Sequence, residues 1–325
     1  MFRPAFTANT GASRSVNRGM PATVARWGAA LAALCLAGLA AAQQPASRED
    51  CERIYKPSVG QSGKDVIWVP TPDELVSRML AMTKVTPQDT VIDLGAGDGK
   101  IAIAAGKLGA NALGIEYNPV MVKLANCMVQ VEGAQARTRI IQGDIFKEDI
   151  SKADVLTMYL LPELNLCVRH RILAMRPGTR VTSHQFNMRD WDPDETAQFE
   201  SRDAHLWIVP ARVGGTWLLR EAGGGLNARI NLVQSFQKIG GDVTQGAHRQ
   251  PLLGATLRGE EIRFAFNDDK GVTRQFTGRV SGQQLSGVLR SGDGAEIDIS
   301  GSLQGQPRVG NWTAMAPQCG RFYGK

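Results

Sequence analysis

Between Val91 and Lys100 the chain reads VIDLGAGDGK, with glycines at 95, 97 and 99 and carboxylates at Asp93 and Asp98. A backbone bare of side chains, placed directly after an apolar run, lets a ligand approach the main-chain N–H groups, and a helix that follows adds its own unpaired ones. The spacing departs from the dinucleotide fingerprint G-x-G-x-x-G, because Lys100 stands where the third glycine belongs. Two carboxylates at this turn would also repel a pyrophosphate. The loop suits a ligand with a cationic group. The next apolar run ends in Glu116, placed to accept hydrogen bonds from a ribose diol. After the third comes QGDIF, where Asp144 is placed to accept from an adenine amino group and Ile145 to pack on the ring. Any one of these acids alone could be a solvated charge or a helix cap; three in register at successive strand ends point to one site.

These positions require strands that end side by side. From Asp65 to about Glu221 strand-like and helix-like runs alternate. TPDELVSRMLAMTKV opens with Thr71 as an N-cap and Pro72 at the first helical position. TVIDLG, NALGIEYN, RTRIIQGDIF, ADVLTMYLL and TRVTSHQF are strands, separated by the helices GKIAIAAGKLG, PVMVKLANCMVQVEG and LNLCVRHRILAMRPG. Continuous apolar strands alternating with helices imply a parallel sheet covered on both faces. HLWIVPARVGGTWLLRE then predicts a hairpin about Gly214 and Gly215. Beyond EAGGG, at 221–225, period-two alternation broken by frequent glycines predicts short antiparallel strands forming a small sandwich or barrel. The fold class is thus α/β, a Rossmann-like, mainly parallel sheet of seven strands over 65–222 with an antiparallel hairpin at its end, followed by a small all-β domain over 223–325.

S-adenosylmethionine carries an α-ammonium, a sulfonium, a ribose diol and an adenine, the set these residues could hold. VIDLGAGDGK, GIEYNP, QGDIF and VLTMYLLPELN resemble the successive motifs of class I S-adenosylmethionine-dependent methyltransferases, over roughly 66–219. WVPTPDELVSRML and LLPELN are similar to a bacterial group related to the small mitochondrial protein lysine methyltransferases and, more distantly, to the seven-stranded histone lysine methyltransferases. The resemblance implies cofactor contacts from Asp93, Gly95, Gly97, Glu116 and Asp144, with Thr71 on a segment folding over the cofactor. It also implies a seven-stranded sheet ending in a hairpin, and a loop after the fourth strand that faces the methyl group. On that loop Tyr159, Glu163 and Asn165 are the candidates to orient or desolvate an acceptor nitrogen, although Glu163 also suits the start of the following helix and Tyr159 the core. The loop departs from the Asn-Pro-Pro-Tyr type that methylates amide or adenine nitrogens. The expected reaction is N-methylation of a protein lysine; the alternative is an exported, non-catalytic binding module on a methyltransferase-like domain. The β domain is expected to recruit or shield the substrate.

Other chemistries lack their residues. There is no G-x-S-x-G elbow for a hydrolase, and no C-x-x-C or His/Cys cluster points to a metal. His170 reads as a surface residue, His184 as a satisfied structural one, and His205 and His248 have no visible partner. Residues 1–42 carry arginines and then the apolar run WGAALAALCLAGLAAA, the pattern of a secretory signal cleaved near Ala42, with Met20 as an alternative start. The run includes Cys35 and is shorter than the roughly 20 residues a spanning helix needs. The expected location is the periplasm, or the cytoplasm if the leader is unused. The chain's net charge of +6 resides mainly in this leader, which removes the main argument for nucleic-acid binding. After an extension over 43–64, Cys51 and Cys319 stand near the two ends and could be joined in an oxidising compartment, or both be free thiols. Cys127 and Cys167 read as small buried hydrophobes.

Overall fold

Five apolar runs form the parallel strands β1 (Thr90–Leu94), β2 (Asn111–Glu116), β3 (Thr138–Gln142), β4 (Val155–Met158) and β5 (Arg180–His184). The computed structural model describes residues 47–323, apart from 66, 311 and 313; the leader, with Met20 and Cys35, lies outside the described residues. Two antiparallel strands, β6 (Glu195–Phe199) and β7 (Arg202–Ile208), complete a seven-stranded sheet of order β3-β2-β1-β4-β5-β7-β6. Strand order reverses between β1 and β4, which opens a crevice at the carboxyl ends of the strands.

The closing hairpin is therefore not HLWIVPARVGGTWLLRE. Its turn lies between Phe199 and Arg202, where Glu200 adopts φ 53°. No glycine marks that turn. Gly214 and Gly215 mark instead the passage from one sheet to the other: a Cβ on Gly214 would stand 2.1 Å from the Arg308 carbonyl oxygen. β8 (Gly215–Glu221) belongs to the second sheet, so the change of sheet falls within 209–214, ahead of the composition shift at 221–225.

The second sheet continues with β9 (Asn227–Ser235), β10 (Lys238–Gln245), β11 (His248–Pro251), β12 (Leu253–Arg258), β13 (Glu261–Asn267), β14 (Thr273–Ser281), β15 (Gln284–Ser291) and β16 (Glu296–Gln304). These nine antiparallel strands run in the order β11-β10-β9-β8-β16-β15-β14-β13-β12, and the ends nearly close into a barrel: Leu252 N donates to Gly241 O at 2.9 Å, and Asn267 N to Gln250 Oε1 at 3.0 Å. Trp217, Phe264, Phe266 and Phe276 are buried in its core.

One face of the seven-stranded sheet is covered by α1 (Arg48–Ile54), α2 (Asp73–Met82), α3 (Lys100–Lys107) and α4 (Pro119–Val131), whose core includes Leu75, Met79, Ile101, Leu124 and Met128. Among the described residues, the helix that the sheet's own connections supply to the other face is α5 (Pro162–Ile172), because the connections 143–154 and 185–194 contain no helix. A parallel sheet needs both faces covered, and parts of the second domain supply the rest. Phe236, in the β9–β10 turn, stacks on Trp191 with centroids 5.9 Å apart and meets Trp312 at 5.5 Å, while Trp207 Nε1 donates to Trp191 O at 2.8 Å. Gly259 packs on Gly178, just before β5 at the amino end of the strands. The barrel contact made by Gly259 is thus at the opposite end of the strands from the crevice, which gives no support to the expectation that the β domain shields the substrate.

The segment after the barrel returns to the crevice and ends in the short helix α6 (Gly320–Tyr323). It is tied by a disulfide between Cys319 and Cys167 of α5, Cα–Cα 5.3 Å, and a second disulfide joins Cys51 of α1 to Cys127 of α4, Cα–Cα 5.5 Å. The Cys51–Cys319 pairing and the reading of Cys127 and Cys167 as unpaired hydrophobes are both overturned. Each end is tied to the nearest helix, not to the other end. A disulfide typically contributes about 2–4 kcal/mol. The double replacement Cys51→Ser/Cys127→Ser is therefore expected to lower the unfolding free energy by about that amount, read from the urea midpoint under non-reducing conditions. Non-reducing peptide mapping should recover the 51–127 and 167–319 links; a 51–319 link would contradict this arrangement.

Candidate active site

The loop between β1 and α3 turns through Gly95 and Gly97 at φ 74° and 56°, the left-handed region that disfavours side chains. Their N–H groups are already directed: Gly95 N donates to Ile115 O at 2.9 Å and Gly97 N to Glu116 Oε2 at 2.9 Å. The other carboxylate oxygen of Glu116 accepts from Asn118 N, also at 2.9 Å. Glu116 is thus fixed by two backbone donors at the carboxyl end of β2. Asn118 in turn caps α4, accepting from Val120 N.

Beneath the loop, Asp93 is 2% exposed and accepts from Thr157 Oγ1 at 2.6 Å. Burial pushes its carboxyl up to about 7; the Thr157 hydrogen bond opposes this, and the charges of Asp98 and Glu116 reinforce it. Burial likewise raises Asp98, against its hydrogen bond to the Lys100 N–H. Three carboxylates packed this closely form a site that gains from a cation. At the end of β3, Asp144 Oδ1 accepts from Phe146 N at 2.9 Å, leaving Oδ2 directed elsewhere.

All seven residues expected to contact a cofactor, Thr71, Asp93, Gly95, Gly97, Glu116, Asp144 and Ile145, line one cavity of about 240 Å³. Sequence reasoning missed several of its walls. Trp68 closes over the glycine loop, so that a Cβ on Gly97 would stand 3.0 Å from its Nε1. Tyr117 follows the ribose-binding candidate, and Leu160 and Phe186 face the cavity from beyond β4 and β5. GIEYNP held the signal for Tyr117, and WVPTP the one for Trp68; Phe186 has no local signature.

Thr71 is not the N-cap of α2, which begins after Pro72. Its hydroxyl lies 3.1 Å from His184 Nδ1, so the segment before α2 is fastened to the end of β5. His184 is buried, and its ring lies 3.7 Å from that of Tyr159 between centroids. Burial pushes the imidazole down to about 4, with the Arg202 charge adding to the effect, so it is neutral at ordinary pH. Its Nε2 has no hydrogen-bond partner among the described residues, so it is only half satisfied.

The three acceptor-side candidates separate. Tyr159 lines the cavity beside Phe186. Glu163 points away and pairs with Arg321 at 2.7 Å. Asn165 is fully buried, and its amide donates to Phe186 O at 2.9 Å and Ser183 Oγ at 3.2 Å. It braces the loop that presents Phe186. His170 is not a free surface group, since its ring packs edge-on to Tyr323, and His205 has Thr196 Oγ1 at 3.0 Å. Among the described residues no His/Cys/Asp/Glu group has a metal-binding arrangement.

A family model described as the ANTKMT methyltransferase domain matches residues 93–195. A protein-lysine N-methyltransferase of Saccharolobus islandicus (strain REY15A) is 41% identical over 151 residues, covering 44% of this chain and 94% of that protein. An adenine nucleotide translocase lysine N-methyltransferase of Mus musculus is 29% identical over 152 residues, covering 46% of this chain and 62% of its own length, so the chain spans less than two thirds of the mouse protein. An RNA methyltransferase from Salinibacter ruber, crystallised with S-adenosyl-L-homocysteine, shares 41% identity over 45% of this chain and 96% of that one, with a TM-score of 0.44. With the reversing strand order, the acid-ringed glycine loop and a relative matched over nearly its whole length, the chain belongs to the class I S-adenosylmethionine-dependent methyltransferases, related to the mitochondrial lysine methyltransferases.

Proposed function

We propose that the chain methylates the ε-amine of a protein lysine, and that it does so in an oxidising compartment. The carrying observation is the contrast between the two ends of the cavity: carboxylates gather at the glycine loop, whereas Trp68, Tyr159, Leu160 and Phe186 contribute aromatic and aliphatic walls. Bound S-adenosylmethionine supplies a methyl group already activated by its sulfonium. The residues then have three tasks. Asp93, Asp98 and the glycine loop favour a cationic, amino-acid-like group, with Gly95 and Gly97 keeping the backbone open to it. Glu116, held by two backbone donors, is aimed to accept from ribose hydroxyls, and Asp144 with Ile145 to take the adenine. Tyr159 and Phe186, the latter braced by Asn165, exclude water around the acceptor.

An amine must arrive without its proton, and desolvation lowers the pKa of a lysine ammonium. Neutral His184 behind Tyr159 adds no charge there. Proximity and orientation can then supply most of the acceleration, without a strong general base. Lysine as the acceptor is supported by the names of the relatives from Saccharolobus and mouse. Export is supported by the leader and by two disulfides, which persist in oxidising compartments. Incubation of the protein and labelled S-adenosylmethionine with an extract of periplasmic proteins should place label on lysine ε-nitrogens, read by peptide mass spectrometry. Label in RNA instead, or in neither, would overturn the lysine reading; recovery of the protein with its leader in the cytoplasmic fraction would overturn the export reading.

Two further outcomes test the cofactor residues. Hydrogen bonds to a charged group contribute about 1.5–3 kcal/mol, so Glu116→Gln should weaken S-adenosylhomocysteine binding by about ten- to a hundredfold in calorimetry. The raised pKa of Asp93 sets a pH dependence. The folded chain keeps the Asp93 proton up to about 7 while the unfolded chain loses it near the ordinary 3.8, so stability falls as pH rises through that window. A bound cation favours the carboxylate and binding releases the proton, so affinity should rise between about pH 5.5 and 7.5. In Asp93→Asn that rise should disappear, and its persistence would assign the titration to another group.

A further inference from the structure

The segment over the cavity contains a charged side chain that the cofactor reading leaves unused. Residues 60–62 pair back onto 67–68 as a small hairpin: Gly60 N donates to Trp68 O at 2.8 Å, Trp68 N donates to Gln61 O at 2.9 Å, and Ser62 bridges to Ile67. Lys64 sits between the bridged residues and reaches inward. Its Nζ lies 2.9 Å from Asp144 Oδ2 and 4.3 Å from the centre of the Tyr117 ring. The pair is largely withdrawn from water, with side chains 23% and 13% exposed. Asp144 Oδ1 is already committed to the Phe146 N–H, so Lys64 occupies the carboxylate oxygen that an adenine amino group needs.

We propose that Lys64 is a competing occupant of the adenine subsite, which must leave Asp144 before the cofactor's exocyclic amine can take its place, and which thereby sets cofactor affinity. The inference rests on the assignment of Asp144, Ile145 and Tyr117 to adenine. The exchange is unequal: a hydrogen bond between two opposite charges is given up for one in which only the carboxylate is charged, so the Coulomb attraction of the ion pair is lost. The ammonium also loses its place over the Tyr117 ring. A destination exists alongside. A second cavity, of about 240 Å³, is bordered by Lys64, Asp65, Leu161, Glu163, Arg321 and Phe322. Asp65 Oδ2 is already 3.8 Å from Nζ, and the Glu163 carboxylate borders the same space. The Glu163 carboxylate is shared with Arg321 at 2.7 Å, so Asp65 is the carboxylate to which Lys64 can turn without entering water as an unpaired charge, which limits the cost of displacing it.

Calorimetric titration with S-adenosylhomocysteine tests the assignment on the full chain. Lys64→Met should bind about tenfold more tightly than the unsubstituted protein at low ionic strength, and added salt, which weakens ion pairs, should narrow that gap. Lys64→Arg keeps the ion pair and should remain close to the unsubstituted protein. Equal or weaker binding by Lys64→Met would overturn the proposal, because it would make Lys64 neutral or helpful to the cofactor. If none of the three proteins binds while all unfold at the same temperature, the adenine assignment falls and the proposal with it.

Discussion

Carboxylates withdrawn from water at a strand reversal are the constraint on which the site depends. Asp93 sits below the glycine loop with one strong donor, Thr157, and two neighbouring acids. An unpaired buried charge is costly enough that the group takes a proton instead, which is why Asp93 is pushed up to about 7. Glu116, beside it, accepts from two backbone N–H groups. The glycines serve this arrangement as much as they serve a ligand, since only a loop in the left-handed region brings Gly97 N onto Glu116. What results is a preformed demand for positive charge, at the place where class I methyltransferases hold a cationic cofactor.

Coverage of the sheet imposes the second constraint. Among the described residues four helices shield one face, whereas the other receives α5 and the short C-terminal helix α6. The aromatic group Trp191, Trp207, Phe236 and Trp312 fills that gap with residues from the sheet, its following loop, the barrel and the tail. A large aromatic side chain buries more apolar area than any other, so four of them replace much of a missing helix. The barrel is therefore part of the catalytic domain's core, whatever else its surface does. The linker is pinned to the barrel as well: the Gln234 side chain accepts from Val213 N and Gly214 N and donates to Ala211 O, at 2.7–3.0 Å.

How much of this was legible in the sequence follows from the range of each interaction. The cofactor loop was legible because its determinants, glycine turns and acids at strand ends, are local, and the parallel strands were legible as continuous apolar runs. The last hairpin was not, since its turn uses Glu200 while the conspicuous Gly214–Gly215 pair accommodates a close backbone approach between sheets. Disulfide partners were misread because pairing depends on which helices pack together. Asn165 illustrates a subtler limit. An asparagine near the acceptor loop reads as chemistry, yet it is turned inward to hold the Phe186 carbonyl, and nothing in the neighbouring residues reveals which way a helix face points. Lys64 was hidden for a similar reason, being brought to the cavity by a hairpin paired largely through main-chain hydrogen bonds.

Both disulfides tie short elements to longer ones. α1 has seven residues and α6 four, lengths at which a helix has too few hydrogen bonds to offset its nucleation. Each carries or adjoins a cystine to a longer helix, α4 or α5. The segment that follows α1 brings Lys64, Trp68 and Thr71 over the cavity, and the segment tied by Cys319 places Arg321 and Phe322 beside it. In a reducing environment both covalent anchors would be lost, leaving the tail to the packing of Trp312 on Phe236 and of Phe322 on Phe146, and the segment before α2 to contacts such as Thr71 to His184. The covers of the cavity are thus set by covalent chemistry at the chain's two ends. The proposed export would deliver the chain into an oxidising compartment, where such cystines persist.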